Sequence, residues 1–327
     1  DTFRLLGKIN KDQEDCMSVG VGFGIADFPF SSATAFWEWV ALCEESGVDS
    51  IWQTDRLISK VPYLESLSAL AAIAGATKKI KFGMNICSVA LRDPLVTAKQ
   101  CATIDYLSGG RLLPAFGIGS KDAADWAATG RAFKGVGQKV DESLEIISRL
   151  WSEEAVSFEG EHFKYKDACI EPKPAQRKLP IWIGGSSRPA IKRTARFGSG
   201  WQAGRETPAE VKPVIDEIKK EVELAGRSID YDHYGAGFFF RFGNWEEPCV
   251  KSKADMYLKR APKANLNASW AIGNSDDILE RIQEYINSGV CKFVLRPIGD
   301  SDGDLMAQTL RLVEEVIPDA SALTPMP

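Results

Sequence analysis

EESGVDSIWQTD, Glu44 to Asp55, reads as the end of a helix, a Ser-Gly-Val turn and a strand, and INSGVCKFVLRP, Ile286 to Pro297, repeats that punctuation. Four more runs have the same grammar, a short apolar segment that ends in glycine or polar residues and leads into a helical pattern: VGVGFGIADF (19–28), IKFGMNICS (80–88), LLPAFGIGS (112–120) and LPIWIGGSS (179–187). Alternating strand and helix periodicity of this kind specifies a parallel α/β chain. Parallel units place the C-terminal ends of all strands on one face, where ligands collect in barrels and open sheets alike.

Working outward, the spacing predicts strands at 19–25, 49–54, 80–87, 112–117, 180–184, 200–203, 234–242 and 292–295. Helices are expected from Ser31 or Ser32 to Gly47, after Pro62, over 94–107, 140–151, from Pro189, over 209–225, 276–288 and 305–316. Eight strands fit an α/β fold closed as an eight-stranded parallel βα (TIM) barrel of about 250 residues with insertions. The rhythm breaks twice, at about 152–178, where VSFEGEHFKYKDA alternates like a hairpin, and at about 243–274. Residues 1–17 are polar and read as an N-terminal arm, followed by a single domain over 18–327.

Composition excludes several functions. With 44% apolar and 26% charged residues the chain is an ordinary globular protein, and a net charge of -5 argues against nucleic acid as a partner. No apolar run approaches the length of a membrane span, so a cytoplasmic protein without membrane contact is expected. Seven scattered cysteines read as free thiols. Only His162 and His233 are present, so neither a histidine-rich metal site nor a histidine triad is expected.

RDPLVTAKQCATIDYLSGGRLLPAFGIGS (92–120), with GVDSIWQTDR (47–56) before it and PIWIGGSSRPAIKRTARFGSGW (180–201) after it, resembles the luciferase-like flavin-dependent oxidoreductases. That superfamily includes bacterial luciferase, alkane and alkanesulfonate monooxygenases, and enzymes using the deazaflavin coenzyme F420. The resemblance implies a barrel with the isoalloxazine or deazaflavin ring at its C-terminal mouth, a small-molecule substrate and a homodimer.

The residues give the site its chemistry. Gly184, Gly185, Ser186 and Ser187 lie where a strand turns into a helix, and a helix N-terminus with close backbone approach and two hydroxyls suits a phosphate. Ser186 and Ser187 read equally well as plain N-caps. Gly117, Gly119 and Ser120 end the fourth strand, as turn glycines or, by the resemblance, beside the cofactor. The resemblance also places a non-prolyl cis peptide between Asn85 and Ile86, supporting the ring, puts Trp201 at the cofactor and Asp122 at an acidic catalytic position. Asp55 and Arg56 follow strand two, where many deazaflavin enzymes carry Asp-His. Arginine is no general base at neutral pH, but it can hold an anion, or simply pair with Asp55. Asp27, Phe28, Gln202, Arg241 and Arg296 are further residues expected at the mouth. His233 should face the opposite end.

The resulting expectation is a monooxygenase that uses reduced FMN, supplied by a separate flavin reductase, and oxygen on a small organic substrate. A deazaflavin-dependent hydride-transfer dehydrogenase or reductase is the alternative, and a non-catalytic flavin-binding barrel the alternative of another class.

Overall fold

Along GVGFGI, β1 (Gly20–Ile25), side chains alternate between a face of glycines and a face of Val21, Phe23 and Ile25, which are buried in the main core. The glycine face looks into a barrel with little room. A Cβ on Gly22 would overlap Ser50, and one on Gly24 would lie 2.8 Å from Val294 Cγ1. Bulk from other strands fills the interior, chiefly Trp52 and Trp182, whose rings meet edge to face at 5.7 Å. Glycine opposite tryptophan is how such a small barrel reaches close packing.

The computed structural model describes residues 19–323, so the expected 1–17 arm lies outside the described residues. After β1 come β2 (Ser50–Gln53), β3 (Lys81–Met84), β4 (Cys87–Ser88), β5 (Leu112–Leu113) and β6 (Ala115–Gly117). The antiparallel hairpin β7 (Val156–Glu159) and β8 (Lys164–Ala168) follows. The chain continues through β9 (Trp182–Gly184), β10 (Gly200–Gln202), β11 (Tyr234–Ala236), β12 (Phe239–Phe242), β13 (Ala271–Gly273) and β14 (Lys292–Pro297). Eight parallel staves close on themselves, since β1 pairs with both β2 and β14, β3 with β5, and β4 with β6.

Three staves expected to be continuous are each split. Stave three breaks between β3 and β4 at Asn85 and Ile86, which are joined by a cis peptide bond. Stave four breaks at Pro114, which has no N–H to donate to a ladder. Stave seven breaks at Gly237 and Phe238. Its lower half, β11, pairs with β10 and β14, whereas its upper half, β12, keeps β14 but pairs with β13 in place of β10. The barrel therefore parts between staves six and seven at the C-terminal mouth.

Helix punctuation follows the sequence closely. Ser32 caps the Ala33–Glu45 helix through Ala35 N, Asp93 caps Pro94–Ser108, and that helix stops at Gly109 in the left-handed region. The 152–178 stretch contains the hairpin, pinned by Glu142, whose carboxylate accepts from the N–H groups of Glu161, His162 and Phe163 at 2.9, 2.9 and 3.2 Å. The 243–274 stretch, expected to be irregular, holds a helix at Pro248–Arg260 and the extra parallel strand β13. Val250 is the only fully buried residue of that helix, so it lacks the apolar stripe by which helices are recognised. No helix among the described residues is long and apolar enough to cross a membrane.

Candidate active site

A cavity of about 460 Å³ opens at the C-terminal mouth, floored by strand ends and roofed on one side by the Pro248–Arg260 helix. Asp55, Arg56, Asn85, Ile86, Gly119, Ser120, Gly184 and Gly185 all line it. A second cavity of about 220 Å³ shares Ile118, Gly184 and Gly185 with the first and reaches Gly117, Ser186 and Ser187. Most of the residues singled out in the sequence line one or other of these two cavities.

Stave three sets its centre. Asn85 N–H donates to the Gln53 carbonyl at 2.8 Å, and Ile86 turns its side chain across the strand ends. A Cβ on Gly117 would lie 2.7 Å from Ile86 Cδ1, and one on Gly184 would overlap the same atom. These two glycines, read from sequence as turn or phosphate residues, leave room for Ile86. Gly185 differs, because its φ of +104° demands glycine. Its carbonyl accepts from Trp201 Nε1 at 2.9 Å. Trp201 itself is 0% exposed, so it braces the Gly185 turn from beneath and presents nothing to a ligand, contrary to expectation.

Ser187 occupies the N-cap position of the Arg188–Phe197 helix, yet its hydroxyl makes no capping bond. Neither serine hydroxyl has a hydrogen-bond partner among the described residues. Two free hydroxyls therefore stand with the unsatisfied N–H groups of a ten-residue helix, beside a cavity. Gly119 has φ +77°, and a Cβ there would sit 2.5 Å from Ser88 Oγ. Ser120 is exposed, and its carbonyl accepts from Trp126 Nε1 at 2.8 Å.

The acidic residues are rearranged relative to expectation. Asp55 does not pair with Arg56. It is bound by Arg92 Nη2 at 2.7 Å, Ser66 Oγ at 2.9 Å and Ser88 N at 3.1 Å. Arg56 instead faces Asp125 at 3.8 Å. Asp122 is exposed and outside the cavity, whereas Asp125, one helical turn on, is buried and lines it. Asp125 Oδ1 accepts from Leu57 N at 2.7 Å, while Oδ2 is buried without a hydrogen bond. Asp122, implied by the family resemblance, precedes the short Ala124–Ala128 helix, which turns Asp125 inward instead.

Arg241 is also displaced from the role of a mouth residue: it pairs with Glu247 and Asp304, each at 2.6 Å, and ties the insertion to the barrel. Phe28 packs in a cluster with Phe30 and Phe36. Gln202 and Arg296 do line the cavity, and both amide atoms of Gln202 are buried without partners. His233 lies at the opposite end, with Nδ1 2.7 Å from the Ser199 carbonyl, and neither histidine lines the cavity. Tyr63, Arg205, Lys253, Met256, Tyr257 and Arg260 also line it but were not anticipated. Four of them belong to the unrecognised helix.

Residues 26–247 match the luciferase-like monooxygenase family, and the chain belongs to it. It is 25% identical over 324 residues to an F420-dependent glucose-6-phosphate dehydrogenase of Amycolatopsis mediterranei, covering 88% of this chain and 94% of that one. Among solved structures, it resembles an F420-dependent secondary alcohol dehydrogenase in complex with an F420-acetone adduct, with a TM-score of 0.78 at 16% identity over 93% of this chain and 99% of the other. It also resembles the oxygenating constituent of 3,6-diketocamphane monooxygenase from Pseudomonas putida, in complex with FMN, with a TM-score of 0.77 at 17% identity over 95% and 100%. The chain is a luciferase-like oxidoreductase.

Proposed function

We propose that the protein is a deazaflavin-dependent oxidoreductase that transfers hydride to or from a small organic substrate at the barrel mouth. The observation that carries this reading is the pair of neighbouring cavities that share Ile118, Gly184 and Gly185, one broad and open at the mouth, the other lined by Ser186 and Ser187. A planar ring with a phosphate-bearing tail fits that shape, with Ile86 beneath the ring and the two hydroxyls and helix N–H groups on the phosphate. When bound, such a ring supplies two-electron chemistry. Deazaflavin takes precedence over the reduced FMN suggested by the sequence, because the relative aligned over nearly the whole of both chains is named as F420-dependent. Monooxygenation with reduced FMN remains the second reading, favoured by the fold shared with the FMN-bound monooxygenase constituent.

The protein's own groups divide the work. Asp55 directs its carboxylate to Arg92, Ser66 and Ser88, so it fixes the wall beside Asn85 and Ile86. Arg56 and Asp125 form the polar pair at the cavity, with Asp125 Oδ2 facing the Arg56 guanidinium at 3.8 Å. The Pro248–Arg260 helix excludes water from one side.

Titration of the purified protein with F420 and FMN, each oxidised and reduced, tests the reading. F420 should bind at micromolar affinity or better and FMN more weakly. Tighter binding of reduced FMN would transfer the assignment to the monooxygenase reading, and binding of neither would defeat both. In the Ser186→Ala, Ser187→Ala double variant the affinity should fall more than about tenfold, since each hydrogen bond to a charged group is worth about 1.5–3 kcal/mol.

A further inference from the structure

Arg296 stands at the end of β14 with its guanidinium in the cavity, and none of its nitrogens has a hydrogen bond or an ion pair within 4 Å among the described residues. Its Nε is buried, and the guanidinium lies 4.9 Å from the centre of the Phe239 ring. Burial pushes its pKa below the usual arginine value. The arginines more buried than Arg296 are satisfied, Arg111 by Thr77 and three backbone carbonyls besides that of Ser108, Arg193 by Asp141, and Arg241 by Glu247 and Asp304. Arg92 and Arg281 also have a buried Nε without a partner, but carboxylates hold their other nitrogens. A half-buried cation without a partner is costly, and it persists where a ligand completes it.

Its neighbours add charge of the same sign. Arg205, Arg260 and Lys253 line the same cavity. The nearby carboxylates are committed elsewhere. Asp27 binds Lys253 at 3.0 and 3.1 Å, and Glu206 accepts from the backbone N–H groups of Gly204 and Arg205 at 2.7 and 2.8 Å. Arg296, Arg205, Arg260, Phe239 and Tyr257 all line the mouth cavity, and none of them lines the cavity that holds Ser186 and Ser187.

We propose that Arg296, with Arg205 and Arg260 at its rim, forms a binding subsite for an oxyanion group on the substrate, a carboxylate or phosphate at the end opposite the reacting carbon. The planar fork of Arg296 offers paired donors to such a group, and Phe239 and Tyr257 form the apolar wall beside it. The redox step on that substrate rests on the oxidoreductase reading, but anion binding does not.

Calorimetric titration of the cofactor-free protein with hexyl phosphate, hexanoate and hexanol at fixed ionic strength tests the subsite. One of the two anions should bind at least tenfold more tightly than hexanol, and which one does so identifies the head group. Arg296→Met should abolish that preference, leave F420 and FMN affinities within about twofold, and keep or raise the thermal midpoint, because it removes an unpaired, half-buried charge. Arg296→Lys, which keeps the charge but loses the fork, should weaken the anion at least severalfold and serves if the methionine variant does not fold. Equal binding of anions and hexanol, or unchanged anion affinity in a folded Arg296 variant, would overturn the proposal. Arg296-dependent anion binding in a protein that binds no flavin would uphold the subsite and defeat the oxidoreductase reading alone.

Discussion

Arg56 shows how one side chain's role changes once its partner is known. From the sequence it could be a surface ion pair with the adjacent Asp55, but Asp55 is occupied by Arg92, and Arg56 reaches across the cavity mouth toward Asp125 at 3.8 Å. That distance is too long for a strong hydrogen bond and leaves the guanidinium available to a reacting substrate. Stabilising charge that develops in a reaction is worth about 2.7–4 kcal/mol per preorganised donor, so Arg56→Ala should lower turnover about a hundredfold. Cofactor affinity should stay within about twofold if the phosphate binds at Ser186 and Ser187, since the cavity they line does not include Arg56. Turnover within twofold of the parent, measured under saturating cofactor, would remove Arg56 from the chemistry. At this scale Asp55, Arg56, Ser186 and Ser187 were legible because strand ends announce themselves. Asp125 and Arg296 were not selected as the key groups, because their significance lies in which partners they lack.

At the scale of elements, the site depends on a strand that breaks. Stave three departs from regular pairing at Asn85 and Ile86, and staves four and five accept the displaced Ile86 only because they carry glycine at 117 and 184. Gly184→Ala should therefore destabilise the fold by about 1–3 kcal/mol, the usual effect of overpacking. The Gly184→Ala, Ile86→Ala double variant should be less unstable than the sum of the single changes, a coupling readable in urea unfolding as a double-mutant cycle. Simple additivity would show that Gly184 is retained for another reason. The Pro248–Arg260 helix is a contrasting case. Its inner face is divided among Lys253, Met256 and Tyr257 over a cavity, so its sequence shows no continuous apolar stripe, and it was read as irregular. Helices that cover sites lose the very pattern that identifies helices that cover cores.

For the whole molecule, the closed barrel gathers the C-terminal ends of all eight staves around one cavity and leaves other faces exposed. The Pro94–Ser108 helix presents Val96 and Leu107, eleven residues and about three turns apart, together with Tyr106, at 51%, 74% and 56% exposure. A homodimer, expected from the family resemblance, would have reason to bury that face. Sedimentation equilibrium should give twice the chain mass, and Leu107→Glu should lower the association constant at least tenfold if this helix is at the interface. A parent that sediments as a monomer would end the expectation. The sequence by itself determined the alternation of strand and helix, the barrel class, most helix caps and the strand-end glycines and serines, because these follow from local periodicity and turn chemistry. Only the tertiary structure decided that Asp125 and not Asp122 faces Arg56, that Gly117 and Gly184 make room for Ile86, that Trp201 braces and does not bind, and that Arg296 is left without a partner. Each of these is a relation between residues on different staves, fixed by barrel closure and packing, and no local pattern along the chain encodes it.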